Sequence, residues 1–124
     1  MNKKVLGVLA AALLSFGAAS PAGAAESGYD LITMGQGSRT IGIAYEHNGY
    51  TGSRIEFRGE SCNGRDYNFS MPANWQFRIS SVQQLGDCQM GLRNRDGRYL
   101  AVGWEPQLGS WNDQAVTVEF TKIT

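Results

Sequence analysis

From Ile41 onward the apolar residues of this chain recur at every second position, and that period constrains the fold more than any other feature. Ile41, Ile43 and Tyr45 are spaced by two, as are Ile55 and Phe57, Tyr67 and Phe69, Met90 and Leu92, Leu100 and Val102, and Val116, Val118 and Phe120. A period of two sets alternate side chains on one face of an extended strand, so these runs predict strands with one apolar face. Turn signals separate them: Asn48-Gly49, Thr51-Gly52, Asn63-Gly64, Asp96-Gly97 and Leu108-Gly109-Ser110. Short strands punctuated by glycine turns predict an all-β sandwich or small barrel. The one helical expectation is a single turn over Met71–Trp75, where Pro72 suits a first helical position.

The first residues read differently. Met1-Asn2-Lys3-Lys4, an apolar run from Val5 to Leu14 and the small-residue exit Ala22-Gly23-Ala24 have the three parts of a secretory signal peptide. The run is shorter than the ~20 apolar residues of a membrane span, so no stable membrane anchor is expected. The expected organisation is a signal peptide over residues 1–25 and one domain over 26–124, secreted, or periplasmic in a Gram-negative source. Setting Lys3 and Lys4 aside moves the formal net charge from zero to about minus two, which lacks the basic footprint of a nucleic-acid binder. Of the nine basic residues left, eight are arginine and one is Lys122, a bias that suits planar hydrogen bonding and stacking on aromatic rings.

Cys62 and Cys88 are the two cysteines of the chain. In a domain bound for an oxidising compartment an even count reads as a disulfide. Metal ligation fits poorly, because the single histidine is distant and no Cys-x-x-Cys occurs.

The stretch Ile43–Phe57 contains an aromatic, four residues, an aromatic, any residue and a glycine: Tyr45, Tyr50 and Gly52. Some thirty residues on stands Ile79-Ser80-Ser81-Val82. In this spacing the segment resembles the folded hairpin of the βγ-crystallins, in which two rings cover a bend, glycine supplies its backbone angle and a later serine pins it. Gln89–Tyr99 is similar to a second hairpin and Gly109–Val118 to its closing strand, with Trp111-Asn112-Asp113 as the family-like stretch. The second hairpin departs from the pattern: Tyr99 and Trp104 have the aromatic separation, but Pro106 holds the glycine place. The resemblance covers about residues 41–120 and implies two Greek-key motifs packed as a βγ-crystallin-like sandwich. A rival likeness, of Leu92–Val102 to one fascin-like β-trefoil repeat, finds no second or third copy.

The resemblance also implies calcium. Family sites use two Asn/Asp, two variable residues, Ser/Thr and Ser, completed by a residue of a hairpin, because calcium takes six to eight oxygens. Gln76–Ser81 keeps both serines but has Gln76 and Phe77 for the Asn/Asp pair. Asn112–Thr117 keeps Asn112 and Asp113 but puts Val116 at the hydroxyl. The expected ligands are therefore Asp113 with Asn112 and the carbonyl of Glu46 at one site, and Ser80, near Arg93, at a poorer one.

Enzyme signatures are absent from the sequence. His47 sits at a hairpin tip beside Glu46, and no nucleophile, phosphate-loop or metal motif accompanies it. Two functions follow from the resemblance. The first is a secreted, non-enzymatic binding or structural module that binds calcium weakly. The second is an effector, antimicrobial, killer-toxin-like or peptidase-inhibiting, that presents loops to a protein or to cell-wall glycan as a monomer. Trp104, between Gly103 and Glu105-Pro106 in a predicted loop, is the expected contact residue.

Overall fold

The computed structural model describes residues 29–123; the leader expected over residues 1–25 lies outside them. Nine strands occur among the described residues: β1 Leu31–Met34, β2 Arg39–His47, β3 Thr51–Gly59, β4 Tyr67–Ser70, β5 Ser81–Gln84, β6 Cys88–Asn94, β7 Tyr99–Val102, β8 Trp104–Glu105 and β9 Ala115–Lys122. The helical content among the described residues is one 3₁₀ turn, Gly109–Trp111. At the expected turn Met71–Trp75 the chain makes a hydrogen-bonded bend, with the Trp75 and Gln76 amides both donating to the Pro72 carbonyl at 2.8 and 3.1 Å.

Two sheets face each other, five-stranded in the order β1-β3-β2-β5-β8 and four-stranded in the order β4-β9-β6-β7. The connectivity is that of two Greek keys. Hairpin β2–β3 lies in the larger sheet, β4 crosses to the smaller one, and β5 returns beside β2. Hairpin β6–β7 lies in the smaller sheet, β8 crosses to the larger one, and β9 returns beside β6. Each motif lends its third strand to the sheet of the other: β4 pairs with β9 and β8 with β5. β1 adds an edge strand parallel to β3. This is a βγ-crystallin-like two-sheet sandwich, not a threefold trefoil.

Between the sheets Ile55, Phe57, Val82, Met90, Leu92, Val118, Phe120 and Trp75 are sealed from solvent, which is the main source of stability. The Cys62–Cys88 disulfide ties the segment after β3 to the start of β6, and both residues are buried. The expectation that Ile41, Ile43 and Tyr45 share a face is corrected by a bulge between Thr40 and Gly42. Past it, Gly42 and Ala44 stand opposite Phe57 and Ile55 and face the core, whereas Ile43 and Tyr45 stand opposite Glu56 and Arg54 on the outer face. A bulge adds one residue to a strand and so inverts the faces beyond it. Gly42 is required there: a Cβ would lie 2.6 Å from the Phe120 ring.

The two motifs are related by a reciprocal pair of hydrogen bonds between the segments that precede β5 and β9. The Phe77 amide donates to the Ala115 carbonyl at 3.1 Å, and the Asp113 amide donates to the Ile79 carbonyl at 3.0 Å. Phe77 and Asp113 stand as far apart in the chain as Ile79 and Ala115, and as Trp75 and Trp111. Both Phe77 and Asp113 also adopt positive φ, 64° and 60°. The loops before β5 and β9 are thus copies of one structure carrying different side chains.

Candidate functional site

The hairpin β2–β3 folds over at its tip, where Tyr50 and Gly52 take φ of 62° and 87°. Ser81 is the latch. Its hydroxyl donates to the His47 carbonyl at 2.6 Å and accepts from the Tyr50 amide at 3.0 Å, and the residue is fully buried. Ser80 has another part: its amide donates to the Tyr45 carbonyl at 2.9 Å, and its hydroxyl donates to the Asp113 carboxylate at 3.2 Å. The Tyr45 and Tyr50 rings meet edge to face, 5.7 Å between centroids.

Beside the latch is a cleft of about 410 Å³, lined by Glu46, His47, Asn48, Phe77, Arg78, Ser80, Asn112 and Asp113. Glu46, Ser80, Asn112 and Asp113 are the residues that the sequence marked for a metal, and the fold brings all of them together. The expectation of two half-sites, with Ser80 near Arg93, is corrected. Ser80 faces Asp113, whereas Arg93, on β6, ion-pairs with Glu119 and stacks on Tyr99 at 5.0 Å.

One cleft residue escaped sequence reasoning. The Arg78 guanidinium ion-pairs with the Glu46 carboxylate, which also lies 3.6 Å from His47 Nε2. Hydrogen bonding from Arg78 is the chief reason that the Glu46 carboxyl sits below its ordinary range. The arginine bias of the composition was the only signal for this pairing.

The donor chemistry fits calcium in part. Asp113 and Ser80 offer a carboxylate and a hydroxyl to the same space, and Asn112 lines it. The Glu46 carboxylate is engaged by Arg78, and among the described residues no three His, Cys, Asp or Glu side chains gather as a metal-holding cluster. At the related positions of the other loop stand Gln76, Phe77 and, opposite Ser80 in the repeat, Val116. An aromatic ring and an alkyl chain supply no ligand oxygen, so that place does not fit calcium.

A separate feature lies on the outer face of the five-stranded sheet. Trp104, on edge strand β8, is 59 % exposed, yet its indole N–H donates to the Gln84 carbonyl at 2.8 Å. Its ring meets Tyr50 edge-on at 6.0 Å, continuing the row from Tyr45. Tyr45 Oη donates to Gln83 Oε1 at 2.7 Å, and burial is the main cause that pushes its phenol up. The Gly49 amide donates to the Pro106 carbonyl at 2.8 Å, tying the hairpin tip to the segment that follows the indole.

No family model and no curated protein matches this chain. Its structure is similar to the crystal structure of the N-terminal domain of protein S, with a TM-score of 0.51 and 14 % identity. The match covers 67 % of this chain and 97 % of that one. At this identity the likeness shows the fold, a βγ-crystallin-like Greek-key sandwich, and the fold alone. No helix among the described residues is long and apolar enough to cross a membrane.

Proposed function

We propose that this chain is a secreted, non-enzymatic βγ-crystallin-like module that works by binding, with Trp104 and Tyr50 as its contact ledge. The observation that carries the reading is an indole that is mostly exposed and yet held, by its hydrogen bond to Gln84 and by the Tyr50 ring. Held aromatics give large contact area with little side-chain entropy left to lose, and such residues dominate binding surfaces. The partner is a protein or cell-wall glycan, both of which accept aromatic contacts. Export rests on the leader-like residues 1–25 and agrees with the disulfide. Capture from culture fluid and from isolated cell walls tests the ledge: Trp104→Ala is expected to lose capture at least about tenfold while melting like the parent. Undiminished capture overturns the reading.

A second reading concerns the cleft. The meeting of Ser80 with Asp113 beside Asn112 supports weak calcium binding at one site, in the millimolar regime of extracellular modules. Calorimetric titration with calcium chloride tests it, and the absence of heat up to ~10 mM refutes it.

A further inference from the structure

The cleft contains a cation that belongs to the chain. Arg78, in the loop before β5, is fixed from three directions. It ion-pairs with Glu46 on β2, its Nη1 donates to the Asn74 carbonyl at 2.6 Å, and its Cζ lies 4.8 Å from the centroid of the Trp75 ring. Trp75 is itself sealed in the core, so the ring beneath the guanidinium is an immobile platform. A planar, permanently charged fork on an aromatic face is an arrangement that arginine holds at small entropic cost. The other Glu46 oxygen accepts from the Ser53 amide at 3.4 Å, which leaves this carboxylate with partners on both oxygens.

A divalent ion in such a cleft would neutralise its carboxylates and tie the hairpin to the loops before β5 and β9. Arg78 already does this for Glu46. We infer that Arg78 is a tethered counter-ion: it satisfies Glu46 from within the chain, so the cleft closes without a bound ion. An added divalent cation gains the Glu46 carboxylate only by displacing the guanidinium. With Arg78 in place, the ion meets the carboxylate of Asp113, which accepts from the Ser80 hydroxyl. Without Arg78, the carboxylates of Glu46 and Asp113 face one cleft with no cation between them, an arrangement that repels until an ion enters.

The inference goes beyond the ledge reading, since it concerns a different site and is read by melting and calcium titration, not by capture. The exported protein and its variants are melted in chelator and in ~5 mM calcium chloride, and titrated calorimetrically with calcium chloride. The parent is expected to gain a few degrees at most in calcium, as a millimolar site would give, and less than Arg78→Gln. Arg78→Gln is expected to melt lower in chelator, to recover several degrees in calcium and to bind the ion at least about tenfold more tightly than the parent. Arg78→Lys keeps a charge near Glu46 and is expected to respond to calcium about as weakly as the parent. If Arg78→Gln binds calcium no more tightly than the parent, or if the parent's melting rises in calcium as much as the variant's, the inference is overturned. If Arg78→Gln is unfolded in chelator, folding on addition of calcium supports the inference and failure to fold in both conditions overturns it. Glu46→Gln in the Arg78→Gln background gives an independent reading: the calcium affinity gained by removing Arg78 is expected to be lost again, because that gain is the Glu46 carboxylate. Unchanged affinity in the double variant would show that Glu46 is not the carboxylate Arg78 withholds and would overturn the assignment.

Discussion

Ser81→Ala removes one oxygen from the latch and isolates what that oxygen contributes. The hydroxyl serves two backbone groups at once, donating to the His47 carbonyl and accepting from the Tyr50 amide. Its residue is fully buried, so removing Oγ leaves both backbone groups without this partner. An unsatisfied backbone group costs about 1–3 kcal/mol when wholly buried. His47 is exposed and Tyr50 half-buried, so part of that cost is recovered by hydration at the hairpin tip. The expected loss is about 2–3 kcal/mol, which for a domain of this size lowers Tm by roughly 10–20 °C. Ser80→Ala is the control. Its hydroxyl makes one hydrogen bond, to a carboxylate at the cleft, and its removal is expected to cost about 1 kcal/mol. Urea and thermal unfolding of both variants decide the matter. A Ser81→Ala loss below ~0.5 kcal/mol, or one no larger than that of Ser80→Ala, would refute the reasoning that the hairpin is held by this one oxygen.

Two further outcomes follow from the same geometry. Replacing Cys62 and Cys88 together by alanine frees a loop whose ends are 26 residues apart in the sequence and is expected to cost about 3–4 kcal/mol, seen as a fall in the urea midpoint. A loss under ~1 kcal/mol would mean that the reduced chain keeps its ends together without the bond. Acid unfolding should respond to Glu46, whose carboxyl is held below its ordinary range chiefly by Arg78. A folded-state value below the unfolded one contributes stability above the unfolded value, and that contribution is lost as pH falls through the folded value. Glu60 and Asp87 are shifted the same way by Ser38 and Ser61, so the test is a difference: Glu46→Gln should flatten the loss of stability below about pH 4.3, and superimposable acid profiles would exclude a role for the pair.

The all-β class was legible because alternation and glycine turns are local signals, whereas the two keys came from the resemblance of the Tyr45–Gly52 hairpin and the Trp111–Asp113 stretch to the βγ-crystallins. Facing was less so. Nothing in the run Ile41–Tyr45 marks the bulge after Thr40, and one extra residue reverses every side chain beyond it, carrying Tyr45 from the expected core to the outer face. The cleft was legible in its members but not in its assembly. The sequence names Ser80 and Asp113, while the fact that they meet depends on the reciprocal bonds that join Phe77 to Ala115 and Asp113 to Ile79 across the two motifs. Arg78 was invisible for a related reason: an arginine in a variable position acquires meaning only when a hairpin far away in the chain brings Glu46 to it.

The degenerate second motif has a physical reading too. The first hairpin is held from outside, by a serine that comes back from β5. The second holds itself. Asn94 at the end of β6 accepts with its side-chain oxygen from the amides of Asp96 and Arg98, at 3.0 and 2.9 Å, and its carbonyl accepts from Gly97 at 3.0 Å. An asparagine closing a turn through its own amide group needs no remote partner. The position related to Ser81 is Thr117, on β9, and the turn it would otherwise latch is already closed. The aromatic, four, aromatic, any, glycine spacing therefore has no structural work left in the second half. Tyr99 is free to lie over Gly91, where a Cβ would come within 2.2 Å of its ring, and Trp104 to leave the hairpin for the edge of the other sheet. The half that lacks the motif's spacing is thus the half that supplies the indole of the exposed ledge.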